Sequence, residues 1–344
     1  MQALLSELIS IPAVSREESQ KADALERYML AQGLAPQREA NNLWCLGKTM
    51  LPNRPTVLLN AHIDTVKPVS GWQRSPHVPT LEGDRLYGLG TNDCGGGLVA
   101  LLFAFMRLDR MDEGQLPYNL VYLASAEEEV SGRNGVERAL PLLPHIDVAI
   151  VGEPTGMHPA IAEKGLMVLD CTAHGVSGHA ARNEGVNAIY AALSDIEWLR
   201  THQFERVSPL LGPVKMSVTQ VNAGTQHNVV PDACAFVVDV RTNECYSNQE
   251  VLDYITNHLT SDVKARSTRL NSSSTPDSHP LIQRCVALGG RPFGSPTLSD
   301  QALMPFPSFK LGPGDSARSH TADEYICLSE LDDALDFYIK LLSA

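Results

Sequence analysis

Apolar residues recur at helical spacing through residues 3–34, from Leu4, Leu5, Leu8 and Ile9 to Leu25 and Met29, until Gly33 interrupts them. The spacing predicts an opening helix, and a short strand follows over 43–46. Four short, largely apolar runs come next, at 56–61, 119–124, 148–151 and 309–311. Runs of this length without alternation are what strands buried on both faces of a parallel sheet look like. Parallel neighbours need a crossover, and the apolar stretch 96–108 supplies a helix between the first two. The expectation is an α/β domain with a mixed, mainly parallel sheet flanked by helices. From residue 164 the rhythm changes to strand-like 166–173, helical 186–199, strand-like 214–222 and 233–241, helical 248–259 and strand-like 263–270. This β-α-β-β-α-β order predicts a small open sheet with two helices on one face, inserted into the first domain. Helical periodicity returns at 280–288 and in the amphipathic stretch 329–342, for which Ser329 is a candidate N-cap. The expected organisation is therefore 1–163 and 277–344 as one domain, with 164–276 inserted.

Length supports two domains, since 344 residues exceed what one hydrophobic core usually serves. A net charge of -13 argues against a nucleic-acid partner, because such binding relies on Lys and Arg neutralising phosphates. The longest apolar stretches, such as 98–106, fall far short of the ~20 residues of a membrane helix. The start, Met1-Gln2-Ala3, lacks a basic region followed by an apolar signal core. A cytoplasmic protein without membrane contact is expected. The seven cysteines, at 45, 94, 171, 234, 245, 285 and 327, are odd in number and form no Cys-x-x-Cys pair. That usage fits reduced thiols and excludes a zinc ribbon.

Ligands in open α/β sheets bind beyond the carboxyl ends of the strands, and each buried run here leads into a potential ligand. Run 56–61 leads into His62-Ile63-Asp64, run 119–124 into Ser125-Ala126-Glu127-Glu128-Glu129, run 148–151 into Gly152-Glu153-Pro154, and run 309–311 through a Gly-Pro-Gly turn towards His320. Asp93 lies in Gly88-Leu89-Gly90-Thr91-Asn92-Asp93, just before the apolar helix. Taken singly these are ordinary features: a loop histidine, or carboxylates at a helix start. Three adjacent carboxylates directly after an apolar strand, however, repel one another unless a cation sits among them. Imidazoles and carboxylates without thiolates suit zinc, cobalt or manganese, and a carboxylate shared by two ions is the usual way to hold them together. Asp64, two residues after His62, is placed to accept the second imidazole N–H.

These segments, together with Ser319-His320-Thr321-Ala322-Asp323-Glu324, occur in the order of the metal-site motifs of the acetylornithine deacetylase and succinyl-diaminopimelate desuccinylase family, which the chain resembles over nearly its whole length. The resemblance implies two divalent metal ions, zinc or cobalt, with His62 and Glu153 on one, Glu129 and His320 on the other, and Asp93 bridging. Glu128 becomes the general base, although the triplet leaves a one-residue ambiguity of register with Glu127. Within the inserted segment, Gly175-Val176-Ser177-Gly178-His179-Ala180 resembles the family's lid-domain histidine motif, and Gly185-Val186-Asn187-Ala188-Ile189 resembles acetylornithine deacetylases. By the same resemblance His179 helps to polarise the scissile carbonyl, and Asn228 and Arg241 are candidates for substrate contact. The lid domain carries a homodimer contact in this family. One departure is plain: Cys94-Gly95-Gly96 stands where the family commonly has Met-Lys-Gly, so a positive charge near the site is expected to be missing.

The implied reaction is hydrolysis of an N-acyl amino acid, N-acetyl- or N-succinyl-ornithine or -citrulline in arginine biosynthesis. Water ionised between the metals attacks, and Glu128 carries the proton. The nearest rivals are a dipeptidase or aminopeptidase and a succinyl-diaminopimelate desuccinylase. A nucleotide-dependent oxidoreductase, suggested by Gly88-x-Gly90-x-x-Asp93, is disfavoured because a turn-rich stretch rather than a long strand precedes it.

Overall fold

The computed structural model describes residues 1–112 and 114–344. Two compact units emerge: Met1–Ile161 with Ser274–Phe293 and Ser299–Ala344, and Ala162–Ser273 with Gly294–Leu298.

The first unit is organised by a nine-stranded sheet. At its centre Asn119–Ser125, Thr56–His62, Val148–Val151 and Ser308–Lys310 lie side by side in that order, all parallel. Every residue of these four strands is buried, which is why the sequence is largely apolar there. Asn42–Leu46 joins the edge antiparallel to Asn119–Ser125. The register pairs His62 with Ser125, while the Gly152 N–H bonds to Asn60 O and the Leu311 N–H to Val151 O. All four parallel strands therefore release the chain at the same edge of the sheet.

Helix Gly96–Leu108 packs on Thr56–His62 and Asn119–Ser125 and against the C-terminal helix Leu328–Leu342. Enclosed on both sides, it is apolar around nearly its whole circumference. Its start presses on the sheet edge: a Cβ on Gly97 would lie 1.7 Å from Gly152 O.

Two expectations need correction in this unit, and one sheet was not foreseen. The opening helix is two helices, Gln2–Ile9 and Ser19–Ala31. Pro12 disfavours helical geometry at Ile11, and the freed backbone pairs instead with Thr65, through the Thr65 N–H to Ala13 O and the Ser15 N–H to Thr65 O. Ser329 does not cap the last helix: Cys327 is the N-cap residue, and the Ser329 hydroxyl donates to Asp84 at 2.6 Å. A three-stranded sheet of Thr80–Glu82, Arg85–Tyr87 and Tyr325–Cys327 had no detectable signal, because three residues are too few to show a period.

The second unit has a four-stranded antiparallel sheet in the order Lys215–Ala223, Ala233–Arg241, Met167–His174, Asp262–Ala265, with helices Ala188–Thr201 and Asn248–His258. Burial alternates along Met167–His174, as expected of a strand with one covered face. A capping box between Ser247 and Glu250 starts the second helix. Leu169, Phe236, Val238, Val251 and Ile255 belong to this unit's own core. The last strand stops at Ala265, shorter than its apolar pattern. Among the described residues all seven cysteines are free, and no helix is long and apolar enough to cross a membrane.

Candidate metal centre

The common strand edge assembles six side chains. His62 ends its strand; Glu128 and Glu129 sit in the short turn of helix after Asn119–Ser125; Glu153 follows Val148–Val151; Asp93 precedes Gly96–Leu108; and His320 lies on the loop beyond Ser308–Lys310. His62 Nε2 is 3.1 Å from Asp93 Oδ1, 3.7 Å from Glu153 Oε1 and 4.0 Å from Glu128 Oε2. The other Asp93 oxygen, Oδ2, is 3.5 Å from His320 Nε2, which in turn lies 3.0 Å from Glu129 Oε2. Asp93 thus offers one oxygen to each histidine. Ligand atoms of His62, Asp93 and Glu129 fall within 4.8 Å of one another, as do those of His62, Cys94 and Glu153.

Buried carboxylates behind the cluster hold its loops. Asp64 Oδ1 accepts the Glu128 N–H, and Oδ2 accepts the Glu129 N–H and the Ser15 hydroxyl, at 3.1, 3.1 and 2.7 Å. The nearer partner of His62 Nδ1 is the Asp64 carbonyl oxygen at 3.0 Å, with the carboxylate at 3.5 Å. The side chain of Asp64 therefore serves the following loop more than the imidazole. Glu324 Oε1 accepts the N–H groups of Asn92 and Asp93, both at 2.9 Å. Glu127, in the left-handed region with φ 54°, turns its carboxylate to the Asn134 amide at 3.0 Å, and its own N–H is held by Glu18 at 3.2 Å. Of the triplet, Glu128 and Glu129 face the cluster.

Crowded acids raise one another's proton affinity. Burial, reinforced by the charges of Glu153, Asp300 and Glu129, pushes Glu128 well above the ordinary carboxylate range. Burial and then Asp93 push Glu153 up to about 8. Asp93 moves the other way: burial raises its proton affinity, but the hydrogen bond and charge of His62, with smaller help from Ser319 and His320, together hold it below the ordinary value. Glu153 Oε1 is buried without a hydrogen-bond partner. An orphaned carboxylate oxygen aimed at an imidazole, among acids that resist joint ionisation, is a donor set short of cations, so the residues fit divalent metals. Cys94 stands behind: its Sγ accepts the His62 N–H at 3.2 Å, and burial pushes its thiol far up.

The other three predicted residues belong to the second unit. His179, in the short strand Gly178–His179, pairs with Val229, and Asn228 O accepts the Ala180 N–H at 3.0 Å, so these two are neighbours. Arg241 is not with them. It ends Ala233–Arg241, roughly 25 Å along that strand at ~3.3 Å per residue, opposite Lys215 and bound to Asp239 at 2.8 Å.

The expectation of a missing positive charge is also corrected. Lys21, buried at 4 % exposure, lines the same closed space as His62, Asp64, Asp93 and Cys94. A lysine at 95 has no room, since a Cβ there would meet Gly90 O at 2.4 Å. Lys21, Glu18 and Glu324 escaped the sequence reading. The signal available was two charged residues, Glu18 and Lys21, in register with Ala22, Leu25 and Met29 on the apolar stripe of one helix.

A mainly parallel α/β sheet whose strand ends bring two histidines and four carboxylates together defines the class: a metal-dependent hydrolase of amide bonds. The chain belongs to peptidase family M20/M25/M40, whose sequence profile matches residues 58–344. It is 31% identical to an acetylornithine deacetylase of Pectobacterium carotovorum over 78% of this chain and 75% of that one. To a succinyl-diaminopimelate desuccinylase of Corynebacterium glutamicum it is 26% identical, over 99% and 95%. Its fold is shared with a Staphylococcus aureus tripeptidase, at TM-score 0.79, 19% identity and coverage of 99% and 96%. A Bacillus subtilis dinuclear metal-binding peptidase of the M20 family gives 0.74 at 16% identity, covering 99% and 96%.

Proposed function

We propose that this hydrolase removes the acyl group from an N-acyl amino acid, N-acetyl- or N-succinyl-ornithine or -citrulline, with two divalent cations, zinc or cobalt. The observation that carries the reading is Asp93, with one carboxylate oxygen towards His62 and the other towards His320. His62 and Glu153 would hold one ion, Glu129 and His320 the other, and Asp93 both. What the ions supply when bound is Lewis acidity towards water and the acyl carbonyl.

Glu128 is the general base. Its Oε2 stands at the edge of the cluster, 4.0 Å from His62 Nε2, and its raised proton affinity suits a group that takes a proton from the attacking water and returns it to the departing amine. Asp64 keeps Glu128 and Glu129 in place through their backbone N–H groups. His179 donates to the acyl carbonyl oxygen, from the same chain or from a second copy in a homodimer built on the inserted domain. Asn228 and Arg241 contact the substrate's carboxylate or carbonyl groups. Relatives named for both acetyl and succinyl substrates support the acyl class.

The test is amine release from N-acetylornithine, N-succinylornithine, the two citrulline analogues and a simple dipeptide, before and after chelation and after return of Zn2+ or Co2+. One acyl amino acid is expected to dominate, with activity lost on chelation and restored by metal. Faster cleavage of the dipeptide, or full activity after thorough chelation, overturns the reading.

A further inference from the structure

Where a strand ends, its backbone N–H groups lose their ladder partners, and buried ones have to find others. After Asn119–Ser125 four consecutive N–H groups are taken up by side chains: Ala126 by Asn42 Oδ1 at 3.0 Å, Glu127 by Glu18 Oε1 at 3.2 Å, and Glu128 and Glu129 by the two Asp64 oxygens at 3.1 Å each. Asp64 in turn accepts the Ser15 hydroxyl. The segment between the first two helices thus reaches Glu127 directly, through Glu18, and Glu128 and Glu129 through Asp64. Glu18 is fully buried. Its carboxylate also accepts the Arg16 N–H at 2.6 Å and the Asn41 side-chain amide at 3.1 Å, so the oxygen at Glu127 cannot swing away without giving up these bonds.

The residue held in this way needs holding. Glu127 sits at φ 54°, a conformation disfavoured for residues with a side chain and kept only where the surroundings enforce it. Its carbonyl oxygen accepts the Gly132 N–H at 2.8 Å and its carboxylate accepts from Asn134. Both partners lie in its own loop, whereas Glu18 ties the turn to a separate element. We infer that Glu18 is a positioning residue for the general base: by holding the Glu127 N–H it fixes the left-handed turn that rotates Glu127 out of the cluster and leaves Glu128 facing it. The inference rests on the reading of Glu128 as the base. It assigns the work to the reach of an acceptor oxygen and not to negative charge.

The test is kcat and KM for amine release from the preferred N-acyl amino acid by the Zn2+-loaded enzyme. Glu18→Met, similar in length but without an acceptor, is expected to lower kcat about 10- to 100-fold, with KM within about twofold and zinc content unchanged. Glu18→Gln keeps the acceptor oxygen, with the Asn41 amide turned over to meet the new N–H. It is expected within about threefold of wild type, since a neutral acceptor weakens the bond but keeps its geometry. Glu18→Asp keeps the charge and draws the oxygen back by one methylene, and is expected to behave as Glu18→Met does. In a Glu128→Gln background Glu18→Met is expected to cost no more than about a further twofold, because the group it places is already disabled; general loosening of the fold would cost as much there as in the wild type. Wild-type kcat in Glu18→Met, a Glu18→Gln variant as slow as Glu18→Met, or an equal loss in both backgrounds overturns the inference. If Glu18→Met does not fold, Glu18→Asp decides: a loss of the expected size upholds the inference and wild-type kcat overturns it. Full activity in Glu128→Gln defeats the functional reading itself, whereas an inactive Glu128→Gln beside a normal Glu18→Met defeats only the role of Glu18.

Discussion

Glu127 and Glu128 are identical side chains one residue apart, and the backbone gives them opposite work. The left-handed φ of 54° at Glu127 throws its carboxylate towards Asn134, while Glu128 is left among Glu153, Asp300 and Glu129, which raise its proton affinity. Sequence alone left that register ambiguous, because a run of three glutamates carries no marker of which one a turn will rotate away. Substitution separates them. Glu128→Gln is expected to cut kcat by about 10²- to 10⁴-fold with metal content unchanged by elemental analysis. Glu127→Gln is expected to keep kcat near wild type and to lose about 1 kcal/mol of stability in a denaturant titration. The reverse pattern would move the base to Glu127. His62, Glu129 and Glu153 were legible because they follow strand runs closely, and Asp93 and His320 because they lie in the loops next to the apolar helix and beyond the last run. The residues behind them were not: Glu324 is recognisable as a loop anchor only once residues 92 and 324 are seen to touch.

Legibility at the level of elements followed length. The central strands are buried throughout and the helix Gly96–Leu108 nearly so, so their sequences are largely apolar and admit little else. Of the three-residue strands, Thr80–Glu82 and Arg85–Tyr87 are too short to show a period, and Tyr325–Cys327 pairs with Arg85–Tyr87 some 240 positions away, which no local pattern records. The break between the first two helices had a cause in view, Pro12, but periodicity on both sides masked it. A glycine in the first turn of Gly96–Leu108 also carries a tertiary meaning: with a Cβ 1.7 Å from Gly152 O, Gly97→Ala has to push the helix start away from the loop that carries Glu153. A loss of about 3 kcal/mol in a denaturant titration is expected, together with weaker metal retention. A variant of wild-type stability would mean that this close approach does not exist in solution.

All five proposed ligands, with Glu128, Asp64, Glu324 and Lys21, come from the unit made of Met1–Ile161, Ser274–Phe293 and Ser299–Ala344. His179, Asn228 and Arg241 come from the other, which has a separate hydrophobic core. This partition gives metal removal a definite footprint. Ions that bind only the folded first unit stabilise it by mass action, and their loss leaves Glu128, Glu153 and their neighbours to share protons or repel, so the loops that hold them should open more often. The second unit supplies no ligand and has its own core to keep it folded. Hydrogen exchange read by mass spectrometry, before and after chelation, is therefore expected to show faster exchange at 90–95, 126–131, 152–155 and 316–324. Exchange in the strands Met167–His174 and Ala233–Arg241 should stay as it was. Equal acceleration across both units would show that the ions stabilise the chain as a whole, and a centre confined to one unit could not account for it.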